Sequence, residues 1–251
     1  MKLNYKIEGQ GPGLVILHGL FGSLDNWQTL ARRWSNHFEV ISVDQRNHGR
    51  SGHSDQMGYD YMSEDLNELL SELNKDKVAI LGHSMGGKTA MQFAIDYPDK
   101  VSHLFVLDIA PKEYPPHHQK VISGLRKVKL ESIESRKEAE EQMAGVIPEI
   151  AVRQFLLKNL YRIEKDRFDW RMNLDVLEDN VQLINASISS DKSIIPATFI
   201  KGDHSGYISE EDEIAIKYQF LNAEFINLPA GHWLHAELPN DIYRIIMYRL
   251  S

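Results

Sequence analysis

The chain has 251 residues, 42% of them hydrophobic, enough to bury the core of one large domain or of a domain carrying an insertion. It contains no cysteine, which excludes a disulfide framework, a cysteine nucleophile and a thiolate metal site. The formal charge of -8, with no basic face, argues against nucleic acid as a partner. No run approaches the ~20 apolar residues of a membrane span, and MKLNYKIEGQGPG lacks the apolar stretch of a secretory signal, so a cytoplasmic location is expected.

Strand-like apolar runs alternate with segments of helical period. Residues 14–17 lead through His18-Gly19-Leu20-Phe21-Gly22 to a helix over 26–35. Residues 40–43 lead through DQRNHGRS to a helix over 63–74. Residues 78–81 lead through GHSMGG into a helix over 85–97, and residues 104–107 end at Asp108. There the alternation stops. SRKEAEEQMAG, PEIAVRQFLLKNLYRIE and NLDVLEDNVQLINASI each carry an amphipathic stripe, so 112–192 reads as helical, without a strand. Strands resume at 197–200 and 224–228, followed by helices over 210–220 and 239–249. Near-continuous apolar runs are what strands covered on both faces of a parallel sheet require. Repeated strand–helix alternation with right-handed crossovers is an α/β fold with a mostly parallel central sheet flanked by helices. The expected layout is a core of 1–111 and 193–251, with 112–192 inserted as a helical lid. Ligands of such sheets bind beyond the strand C-termini, so a lid leaving one of those ends would cover the site.

Gly82 through Thr89, GHSMGGKT, fits two motifs with different chemistries. It contains G-x-S-x-G, the turn that presents a nucleophilic serine, and it also fits G-x-x-x-x-G-K-[ST], the phosphate-cradling loop. Both belong between a strand and a helix, so context has to decide. The nucleotide reading would make Asp108 a magnesium ligand and leaves HGLFG and GHW without a role. On the serine reading, Lys88 is expected to lie along the helix surface and Thr89 to pack.

A serine hydroxyl needs a base to remove its proton and donors aimed at the oxyanion that forms. Ser84 is the candidate nucleophile. The Met85 N–H, at the start of the helix, is one oxyanion donor; Leu20 N–H is the candidate for the second, with Phe21 as the alternative. The base is expected after the last strand, where LPAGHW places His232; His235 lies nearer the helix and is expected to face outward. Two aspartates end strands at suitable places, Asp108 and Asp203. A G-x-x-D turn counted from Gly202 lands on Ser205, and Asp203 comes two residues early, so Asp108 is favoured and Asp203 is the alternative. The order Ser84, Asp108, His232 is that of the α/β-hydrolase fold. Phe21, Met85, Tyr207 and Trp233 either line an acyl pocket or pack in the core. His18, His48 and His83 read as hydrogen-bonding groups of the loops, His117-His118 as solvated lid residues. Arg126, Lys127 and Lys129 read as a solvated basic face, or as a surface for an anionic thioester carrier.

HGLFGSLDNW, DQRNHGRS, GHSMGGK, VLDIAP, WRMNL and AGHW together resemble the α/β-hydrolase superfamily, and within it the YbfF-type bacterial esterases and the related mitochondrial abhydrolase-domain proteins. The resemblance implies cleavage of a small acyl ester or thioester through an acyl-enzyme, without metal or organic cofactor. It also implies an acid drawn from the D-I-A-P segment, here Asp108. Alternatives on the same fold are carbon–carbon bond hydrolysis, cofactor-free perhydrolysis, and a catalytically inert binding protein.

Overall fold

The computed structural model describes residues 1–164 and 167–251. The described strands are β1 (Asn4–Glu8), β2 (Gly13–Leu17), β3 (Glu39–Asp44), β4 (Val78–His83), β5 (Val101–Leu107), β6 (Leu160–Glu164), β7 (Arg167–Trp170), β8 (Ala197–Gly202) and β9 (Ala223–Leu228). The helices are α1 (Gln28–Trp34), α2 (Tyr59–Glu72), α3 (Met85–Asp96), α4 (Gln119–Lys127), α5 (Arg136–Ala144), α6 (Ile150–Leu157), α7 (Leu174–Asp179), α8 (Val181–Asn185), α9 (Glu210–Gln219), α10 (Leu234–Glu237) and α11 (Pro239–Leu250).

The large sheet runs β1-β3-β2-β4-β5-β8-β9, with β1 antiparallel to β3 and the other pairs parallel. Strand β2 leads outward to β3, whereas β4 starts the sweep in the opposite direction through β5. The winding reverses between β2 and β4, and in open α/β sheets the ligand crevice opens at the strand ends there. The edge strand β1 is not one of the expected runs. Its sequence, NYKIE, alternates and carries charge, as an edge strand covered on one face does.

Side chains of the central strands alternate between two hydrophobic clusters, one on each face. Val15 and Leu17, Val78 and Ile80, and Leu104 and Val106 join Leu66, Leu70, Met91 and Phe93 of α2 and α3. Leu14 and Ile16, Ala79 and Leu81, and Phe105 and Leu107 join Trp34 of α1 and Ile242 and Ile246 of α11. This period of two, apolar on both sides, is why the strands read as unbroken apolar runs. The Ser209 hydroxyl accepts from Asp212 N–H and the Asp212 carboxylate accepts from Ser209 N–H, a reciprocal cap that starts α9.

The segment between β5 and β8 is not purely helical, contrary to expectation. Strands β6 and β7 form an antiparallel hairpin in it, pairing Leu160 with Trp170 and Arg162 with Phe168. The apolar stripe of PEIAVRQFLLKNLYRIE runs as helix only to Leu157. Beyond it the buried residues recur with period two, Phe168 and Trp170, among aromatic and branched neighbours that favour a strand. Ile122, Leu125, Met143, Leu156 and Leu177 of the inserted segment belong to the same cluster as α2 and α3. The insertion therefore shares the core rather than folding apart from it. No helix among the described residues is long and apolar enough to cross a membrane.

Candidate active site

The loops after β2, β4, β8 and β9 line one crevice, and the loops after β3 and β5 hold its residues in place. At the end of β4 the chain turns sharply at Ser84, which takes φ 52° and ψ −118°. A side chain on either flanking glycine would prevent the turn. A Cβ on Gly82 would lie 2.1 Å from the Gly86 carbonyl oxygen, and one on Gly86 would lie 2.4 Å from that of Leu17. Of the five non-glycine residues at positive φ among the described residues, three are Phe21, Ser84 and Asp108, so backbone strain concentrates at this crevice.

Asp108, fully buried beyond β5, faces the crevice. Its carboxylate accepts from His232 Nδ1–H at 2.7 Å, from Gly202 N–H at 3.1 Å and from the Ser205 hydroxyl. Holding the proton on Nδ1 leaves the Nε2 lone pair of His232 free to act as a base. Asp203 is exposed, and its N–H is spent on the Leu228 carbonyl at 2.8 Å. The structure thus brings Asp108, not Asp203, to His232. Ser205 stands at the G-x-x-D position and bonds Asp108 through its hydroxyl. In the sequence that position shows only the absence of an aspartate.

The Tyr207 ring stacks on the His232 ring at 3.9 Å and 15°. The Tyr207 carbonyl accepts from Tyr114 O–H at 2.6 Å. His83 Nε2–H donates to the His232 carbonyl at 2.9 Å. His235 does not face outward as expected: it stacks on Trp27 at 4.3 Å and lies 4.6 Å from the His83 ring. Burial pushes it down to about 3, so it is a neutral packing group.

The loop after β2 is pinned by two buried neutral histidines. His18 Nδ1–H donates to the Gly19 carbonyl at 2.8 Å and its Nε2 accepts from Gln45 N–H at 3.0 Å. His48 Nδ1–H donates to the Arg46 carbonyl at 2.8 Å and its Nε2 accepts from Phe21 N–H at 3.2 Å. Burial pushes His18 down to about 4 and His48 to about 3. With the Phe21 N–H committed to His48, the Leu20 N–H is the one left for an oxyanion. From the insertion, Asn159 Nδ2–H donates to the Phe21 carbonyl at 2.6 Å and fixes the other side of this loop.

Ser84, His232, Phe21, Tyr207 and Trp233 line one apolar cavity of about 160 Å³, closed on the insertion side by Val152, Phe155 and Leu156. Met85 and Leu20 line a second, narrower cleft that also reaches Ser84. Two sequence expectations fail here. Lys88 does not lie on the surface: it is 1% exposed, and its ammonium donates to the carbonyls of Asn185 at 3.0 Å and Ala186 at 2.6 Å. A four-carbon stem inside the first turn of α3 is short of the surface once the insertion packs over it. His118 is not a solvated residue either. It lines both cavities beside Phe21, and burial pushes it down to about 3. Its neighbour His117 is exposed.

Such a strand-end serine turn, with a histidine after the last strand and an acid after an earlier one, defines a hydrolase of the α/β class. A family model for the α/β-hydrolase fold matches residues 12–134. The chain belongs to the α/β-hydrolase family. It is 36% identical to esterase YbfF of Escherichia coli, over all of both chains. It is 39% identical to the sn-1-specific diacylglycerol lipase ABHD11 of Xenopus laevis, over 94% of this chain and 78% of the relative. Among solved structures, a marine microorganism esterase superposes with a TM-score of 0.96 at 40% identity, covering 98% of each chain. These relatives support a hydrolase enzyme acting on esters.

Proposed function

We propose that the protein is a serine hydrolase that cleaves small acyl esters through an acyl-enzyme. The observation that carries this reading is the Asp108–His232 bond at 2.7 Å, which sets the histidine tautomer beside the cavity that Ser84 lines. His232 Nε2 takes the Ser84 proton as Oγ attacks the acyl carbonyl. The Leu20 and Met85 N–H groups hold the oxyanion. Collapse breaks the bond to the leaving group, which departs with the proton from His232. Water, deprotonated by the same base, then frees the acid and restores Ser84. The insertion acts as a lid over residues 112–192, its apolar wall excluding bulk water. Of the basic cluster, Arg126 is already held by Asp175 at 2.6 Å and Glu178 at 2.5 Å, which weakens it as a surface for an anionic thioester carrier.

The test is intact mass after treatment with a fluorophosphonate, on wild type and Ser84→Ala. One adduct on wild type, absent from Ser84→Ala, together with loss of ester turnover in the variant, is the expected result. A folded wild type that takes no adduct and cleaves no ester would leave an inert binding protein as the better reading.

A further inference from the structure

Ser84 opens onto two cavities, a wide apolar one and a narrow one with polar groups in its wall, and the chemistry decides which part of the ester each receives. The leaving group takes its proton from His232, so it must depart on the His232 side. The wide apolar cavity contains His232 and Trp233. Ser84 and Leu20 line both cavities, but Met85, the other oxyanion residue, lines only the narrow cleft, which His232 does not reach. The narrow cleft therefore faces the acyl side of the tetrahedral carbon.

The narrow cleft is not a hydrocarbon slot. Lys88 and Asn185 line it, together with Tyr59 and Tyr114. The Lys88 ammonium lies 4.9 Å from the Tyr114 ring centroid and 5.5 Å from that of Tyr59. It has no carboxylate within ion-pairing distance among the described residues; its two carbonyl partners sit at the C-terminal end of α8. Burial pushes Lys88 down to about 7. Asn185 is 4% exposed, and its Nδ2 has no hydrogen-bond partner among the described residues. A buried amide N–H₂ without an acceptor is costly, on the order of 1–3 kcal/mol. Lys88 and Asn185 thus line a cleft much narrower than the apolar cavity, about 20 Å³ against about 160 Å³.

Resting on the serine-hydrolase reading, we propose that Lys88 and Asn185 form a polar acyl subsite selecting short acyl chains whose far end carries an acceptor oxygen, either a keto or a carboxylate oxygen. The acceptor takes Asn185 Nδ2–H and approaches the Lys88 ammonium, while the alcohol occupies the apolar cavity. Acyl chains ending in methyl leave both donors unmatched and are disfavoured.

The experiment compares kcat/KM for three 4-nitrobenzyl esters of equal acyl length: butanoate, 3-oxobutanoate and hemisuccinate. At least one acceptor-bearing ester is expected to exceed butanoate by tenfold or more in wild type. Preference for 3-oxobutanoate alone identifies a neutral oxygen; preference for hemisuccinate alone identifies an anion. Asn185→Leu and Lys88→Met are each expected to bring the ratio close to one. Should Lys88→Met fail to fold, Asn185→Leu and the wild-type ratio still decide. Equal rates for all three esters in wild type would overturn the subsite. So would a preference that survives in both folded variants. A wild type that cleaves none of the three and takes no fluorophosphonate adduct would instead overturn the serine-hydrolase reading itself.

Discussion

Asp108 accepts three hydrogen bonds, from an imidazole, a backbone N–H and a hydroxyl, with no water in reach of its fully buried side chain. In the proposed mechanism such an acid acts by fixing which nitrogen of His232 carries the proton. Asp108→Asn presents an N–H to Nδ1 or forces the other tautomer, and kcat is expected to fall on the order of 10⁴-fold. Asp203→Asn changes an exposed side chain and is expected to stay within about twofold of wild type. Steady-state kinetics on one activated ester separates the two, and the reverse pattern would move the acid to Asp203. Ser205→Ala removes one of the three donors to a charged acceptor, a bond worth about 1.5–3 kcal/mol. Its expected effect is a fall in kcat of about tenfold or more with KM little changed. Ser84, Asp108 and His232 were legible because strand-end position and chain order carry a signal in the sequence. Ser205 was legible only as a position. A serine in a loop gives no sign that its hydroxyl turns back 97 residues to a carboxylate.

At the scale of elements, the segments most exposed to misreading are those whose environment comes from elsewhere in the chain. Lys88 on α3 looks like a surface lysine until the turn after α8 delivers two carbonyls to it. The β6–β7 hairpin hides because its first strand continues the apolar stripe of α6 without a break in composition. In contrast, β2, β4 and β5 announce themselves, since burial on both faces makes residues 14–17, 78–81 and 104–107 unbroken apolar runs. The insertion also reaches back to the catalytic core through Asn159, whose amide holds the Phe21 carbonyl at 2.6 Å. Phe21 stands at φ 57°, next to the proposed oxyanion donor Leu20. Loss of this bond releases a strained turn without touching the substrate cavity wall. Asn159→Leu is therefore expected to lower kcat by about fivefold, the worth of roughly one net hydrogen bond, and to leave fluorophosphonate labelling complete but slower. Unchanged labelling kinetics would show that His48 and His18 suffice to hold the loop.

Over the whole molecule, the buried histidines set how the fold responds to acid. His18 and His48 each use one nitrogen as donor and the other as acceptor from a backbone N–H. Protonation would place a donor against a donor and a charge in the core. Their folded-state values, about 4 and about 3, lie below the 6.5 of an unfolded histidine, and His83 is shifted in the same direction by burial. Below pH 6.5 the unfolded chain therefore binds more protons than the folded one, and acid favours unfolding. The stability these groups provide is intact above pH 6.5 and is lost as pH falls from 6.5 toward 4. For His18 and His48 together the loss amounts to at most about 5 kcal/mol between pH 6.5 and 4.5, from about 1.4 kcal/mol per group and pH unit. Urea unfolding at a series of pH values is expected to show a plateau near neutrality and a steep decline below it. His48→Gln, which keeps a donor and an acceptor but cannot be charged, is expected to make that decline shallower by one histidine's share, about 1.4 kcal/mol per pH unit, whatever it does to stability at pH 7. A slope unchanged in His48→Gln would mean that carboxylates, not the loop histidines, govern acid unfolding.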